Sequence, residues 1–81
     1  MLKRYREAVE DLQRALFIDP NDESLYRDLT GPLVVFIEED ALLSAELAQK
    51  IIDYAVRVGV VDLEERAQKI LHEALESQKK I

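Results

Sequence analysis

The sequence contains no cysteine and no tryptophan, one histidine, two glycines and two prolines in 81 residues. Each shortage narrows what the chain can be. Without cysteine there is no disulfide framework and no thiolate metal site. One histidine cannot supply the three or four ligands a zinc ion needs. Few glycines and prolines mean few turns, hence a small number of long elements. No apolar run nears the ~20 residues that cross a bilayer, and "MLKRYREAVED" has neither the apolar core nor the cleavage site of a secretory leader. Excess positive charge is missing too. The net charge is −6, so the chain repels phosphate, and a nucleic-acid partner is not expected. Leu, Ala, Glu, Lys, Arg and Gln dominate, which is the composition of helices. A chain of this length supports one modest core and one domain.

Periodicity places the helices. Leu2, Tyr5, Ala8, Val9, Leu12, Ala15 and Leu16 recur at steps of three and four and form a stripe roughly 140° wide. The spacing predicts a helix over about 2–18, ended by Asp19-Pro20, since proline cannot continue the hydrogen-bond ladder. Asn21-Asp22 offers the next N-cap. Leu25, Leu29, Leu33, Phe36 and Ile37 continue a helical pattern, but Gly31-Pro32 interrupts it. The reading preferred here is two short helices, about 22–30 and 32–39, with Pro32 at a first position where its missing N–H costs nothing. One kinked helix is the other reading. Ser44 is the expected N-cap of a helix over about 44–58, stopped at Gly59. Its apolar positions cover roughly 200°, so it should touch neighbours on two sides. Asp62-Leu63-Glu64-Glu65 is shaped like a capping box opening a last helix over about 62–79. The fold class is therefore all-α, a compact bundle of four to five helices.

Residues 5 to 22, "YREAVEDLQRALFIDPND", resemble the second helix of a tetratricopeptide repeat and its inter-repeat turn. Tyr5, Glu7-Ala8-Val9, Leu12, Ala15-Leu16 and Asp19-Pro20-Asn21-Asp22 carry the likeness, over about a fifth of the chain. The helix that would precede Tyr5 in such a repeat is not in the sequence. A first-type helix should follow the turn, and Tyr26 and Leu29 fit one, but Gly31-Pro32 breaks the pattern. Ala67, Leu71 and Ala74 echo the spacing of Ala8, Leu12 and Ala15. Arrays of such repeats need about three to be stable. The stripe of the first helix must be covered by something else, and the last two helices are the candidates. The resemblance implies peptide binding along first-type helices, sometimes through a Lys/Asn carboxylate clamp. Only Arg27 and Asp28 stand where such groups would act, with Asp in place of Asn.

The remaining reactive residue types have plain readings. His72 falls beside Glu65, Gln68 and Glu76, off the Leu71–Leu75 stripe, and reads as a solvated helix residue. Glu38-Glu39-Asp40 is the densest acidic run. Adjacent carboxylates at a helix end point apart, and no loop supplies the six to eight oxygens calcium takes. Ser24, Ser44 and Ser77 lack a nucleophile elbow and suit capping or surface roles. Lys3, Arg4 and Arg6 are expected to pair with Glu7, Glu10 or Asp11 one turn on. There is no phosphate-binding glycine loop. No catalytic, cofactor-binding or metal site is therefore expected, and no cofactor. The functional expectation is a soluble, structural helical-bundle protein, an engineered mosaic of natural helical pieces without enzymatic or ligand-binding activity. It is expected to be a monomer without a partner, to contact neither nucleic acid nor membrane, and to stay in the cytoplasm if made in a cell. A homodimer hiding the first stripe is a second possibility. The alternative function is an interaction fragment of a tetratricopeptide-like array that binds a peptide.

Overall fold

The computed structural model describes residues 2–79, and the side chains from residue 4 onward. Four helices follow one another: α1 (Leu2–Ile18), α2 (Glu23–Phe36), α3 (Ala41–Val58) and α4 (Val61–Lys79). No strand occurs among the described residues, so the class is all-α. The Cα radius of gyration is 11.9 Å, close to the ~12 Å of a compact chain of this length. The extents are 35 × 23 × 16 Å, a flattened body.

Local chemistry sets the helix ends. α1 closes before Pro20, with the Asp19 N–H donating to the Ala15 carbonyl at 2.9 Å. Asp22 caps α2: its carboxylate accepts the Ser24 N–H at 3.0 Å and the Ser24 hydroxyl at 2.6 Å. α3 ends at Gly59, whose φ of 79° is the left-handed conformation open to glycine at low cost. The Gly59 and Val60 N–H groups both return to the Ala55 carbonyl, at 2.8 and 2.9 Å.

Three boundaries differ from the sequence reading. α2 is one helix, not two, and Pro32 lies inside it. Proline deprives the Asp28 carbonyl of its N–H partner, but Asp28 is exposed and water can serve that oxygen. Leu29, Leu33 and Phe36, on both sides of the proline, are essentially fully buried and hold the segment in one line. The helix then stops at Phe36, where Glu39 and Asp40 donate to the Phe36 carbonyl at 3.0 and 2.9 Å. Next, α3 starts at Ala41 and is capped by Asp40, whose carboxylate accepts the Leu43 N–H at 3.0 Å. Ser44 is no cap: it lies fully buried within the helix. Finally, Asp62 sits inside the first turn of α4, which begins at Val61.

α3 and α4 pack most extensively, as an antiparallel hairpin across a two-residue connection. Ala48, Ala55, Ala67 and Ala74 are fully buried on these helices, small enough to let the backbones approach. α1 packs on α2, and α2 in turn meets α3 and α4. This corrects the expectation for α1, whose backbone approaches neither α3 nor α4. Val9 and Leu16 are buried, Leu12 is half-buried, and Tyr5 stays 37% exposed at the edge. The stripe is covered because α2 is apolar on two sides, turning Tyr26, Leu29 and Leu33 into a single cluster with Val9, Ile51 and Ile70. No helix of the described residues is long and apolar enough to cross a membrane.

Candidate functional site

α2 is where the polar geometry concentrates. Arg27 donates to two carboxylates. Its Nε donates to Glu23 Oε2 at 2.7 Å, one turn back. Its Nη1 and Nη2 donate to Asp62 Oδ2 and Oδ1, at 2.8 and 3.3 Å. The two-pronged geometry ties α2 to the first turn of α4. These hydrogen bonds, donated by Arg27 to Asp62 and Glu23, raise the Arg27 pKa. In return Arg27 holds the Asp62 carboxyl below the usual carboxylate range, helped by backbone N–H groups at the start of α4.

At the same end of the molecule the 19–22 turn is pinned by two tyrosines. Tyr26 and Tyr54 stack, and their hydroxyls donate to the Pro20 carbonyl at 2.7 Å and the Asn21 carbonyl at 3.4 Å. Arg57 lies over the Tyr54 ring, 5.7 Å from its centroid, and its Nη2 donates to Asn21 Oδ1 at 3.3 Å. Burial pushes the Tyr26 phenol pKa up.

The opposite end holds Arg6, which lies 5.6 Å from the Phe36 ring centroid and donates to Glu39 Oε1 at 2.8 Å. Arg6 thus reaches across to the α2–α3 connection instead of pairing with Glu7, Glu10 or Asp11 along its own helix. Asp11 pairs with Arg14 at 2.8 Å. The Lys3 side chain lies outside the described ones.

The acidic run is divided by the fold. Glu39 pairs with Arg6, Asp40 caps α3, and Glu38 is exposed. Among the described residues no three His, Asp or Glu side chains gather as a metal-holding group. His72 is 76% exposed, 3.9 Å from Glu76. Ser24 supports the α2 cap, Ser77 lines a cleft, and the buried Ser44 hydroxyl has no hydrogen-bond partner. Asp28 is exposed and does not join Arg27 in a clamp.

Two open clefts meet at this end, of about 320 and 530 Å³. They share Ile37, Glu38 and Ser77, and run between the end of α2 and the C-terminal half of α4.

No family model, curated protein or solved structure matches this chain. Its residues alone carry the functional argument. Sequence reasoning missed the Arg27–Asp62 link and the clefts. The Glu23–Arg27 spacing of four was legible as a helical ion pair. Nothing in the order of residues brings position 62 to position 27.

Proposed function

We propose that the chain is a structural helical scaffold, acting through its packed body and surface rather than through a reactive centre. The observation that carries this is the engagement of Arg27. α2 is the helix the tetratricopeptide resemblance would place on a peptide groove, and Arg27 is its only cationic side chain. That side chain is occupied by Glu23 and Asp62, joining α2 to α4. The rest of α2 supports the same reading, since α1 lies on it and α3 and α4 meet it.

The engineered origin expected from the sequence enters only as a mosaic. Pro32 within α2, the unpartnered Ser44 hydroxyl and the 88% exposed Phe17 depart from idealised design. These departures favour a mosaic over an idealised chain, and the scaffold role does not depend on how the pieces came together.

Arg27→Ala tests the proposal. The expected result is a lower melting temperature, with no saturable binding of short acidic peptides ending in a free carboxylate to either protein. Micromolar binding by the parent chain that Arg27→Ala abolishes would overturn it in favour of a peptide-binding array fragment.

A further inference from the structure

The paired clefts form one groove with a consistent chemistry. Its floor is apolar: Ile37 is buried beneath it, and Val34 and Leu42 stand 48% and 62% exposed on its walls. Its rim is acidic. Glu38 rises from the end of α2, and Glu73 and Glu76 face it from α4. None of the described lining residues is lysine or arginine. Glu38 and Glu73 form no ion pair with a described residue, while Glu76 has only the 3.9 Å approach of His72.

The backbone adds charge of the same sign. α2 ends here, at Phe36, and a helix C-terminus carries roughly half a negative charge, whereas Lys79 in the last turn of α4 answers that helix's own negative end. The positive end of α3 is also here, but the Asp40 carboxylate already answers it. An apolar floor between uncompensated carboxylates and the negative end of α2 suits one chemistry, a cationic side chain attached to an apolar stem or neighbour. From His72 to Gln78 the α4 wall rises about 9 Å, enough for roughly two turns of a bound helix.

We propose that this groove docks a short cationic amphipathic segment of another protein, an apolar side chain seated over Ile37 and Lys or Arg heads at Glu38, Glu73 and Glu76. This goes beyond the scaffold reading and gives the scaffold a partner surface. It lies at the opposite end from Arg27, so failure of either idea leaves the other standing.

The test uses a fluorescently labelled peptide of Lys and Leu, its leucines three and four apart, titrated with the full chain and read by anisotropy. The probes for comparison are a scrambled peptide of the same composition and a Glu/Leu counterpart. Glu73→Lys combined with Glu76→Lys should weaken binding by about tenfold or more, a cost of about 1.4 kcal/mol. Asp53→Lys combined with Glu65→Lys changes the net charge equally on exposed sites near the α3–α4 turn, away from the groove, and should weaken it by less than about threefold. Leu42→Ser should also weaken it, and rising salt should lower affinity. Circular dichroism confirms that each variant is folded. The proposal is overturned if the parent chain shows no saturable binding, if the scrambled peptide binds as well, or if the two charge-matched variants weaken binding equally. It is also overturned if sedimentation shows a dimer that the groove variant abolishes, for then a second copy owns the surface.

Discussion

Tyr26 of α2 and Tyr54 of α3 stack ring on ring, 4.1 Å between centroids and 15° between planes. Both rings are buried, and both hydroxyls turn back to carbonyls of the 19–22 turn. One contact thus joins the α1–α2 pair to the α3–α4 hairpin and holds the turn between α1 and α2.

Truncating that contact should be among the most damaging single changes. Tyr54→Ala is expected to cost about 3–5 kcal/mol, from lost burial and the lost aromatic pair. Tyr26→Phe keeps the stack and loses the hydrogen bond to Pro20, costing about 1 kcal/mol. Urea unfolding followed by circular dichroism gives both values. Equal losses for the two variants would mean that the hydroxyl, not the stack, is the joint.

The Arg27–Asp62 pair gives stability an acid limb. Its folded-state carboxyl titrates below the ordinary range because Arg27 hydrogen-bonds the ionised form. The contribution is therefore complete above the unfolded value of about pH 4, and is lost as pH falls through the lower folded value. Thermal melts between about pH 2 and pH 7 should show Asp62→Asn less stable than the parent near neutrality. The two should converge at the acid end. Parallel curves across that range would separate Asp62 from the acid response.

Pro32 is a flaw the fold carries. Pro32→Ala restores an N–H for the Asp28 carbonyl and relieves the ring's crowding of the preceding turn. A helix-interior proline costs about 3 kcal/mol, partly offset by its restriction of the unfolded chain. The substitution is expected to stabilise the protein by about 2 kcal/mol. A loss of stability would show that packing of α2 between α1 and the hairpin requires a bend at this residue.

Ser44 is the second flaw. Its hydroxyl is fully buried without a partner. Ser44→Ala removes the unmet group and improves helix propensity, for an expected gain of about 1 kcal/mol. A loss of that size would place a hydrogen-bond acceptor or a water against the hydroxyl.

What could be read beforehand was whatever short-range chemistry decides. The stripe Val9–Leu12–Leu16, the stop at Pro20, the Asp22 cap and the Gly59 terminus each follow from a few neighbouring residues. What could not be read depends on tertiary partners. Pro32 is tolerated because Leu29, Leu33 and Phe36 are clamped from outside. Ser44 looks like a cap until Asp40, four residues earlier, takes that role and α3 buries the serine. The missing repeat partner of α1 points to the last two helices as its cover, but α2, running unbroken through Pro32, is long enough to pack along Val9 and Leu16. At the surface, the acidic run 38–40 was visible, but its division among a salt bridge, a cap and a cleft rim was not.

Native-state hydrogen exchange of α1 is the most direct measurement of whether one chain suffices to shelter that helix. Amides from Val9 to Leu16 should be protected, with the same exchange rates at micromolar and at hundredfold higher concentration. Rapid exchange throughout α1, or protection that appears only as concentration rises, would contradict a fold in which α2 of the same molecule covers the stripe.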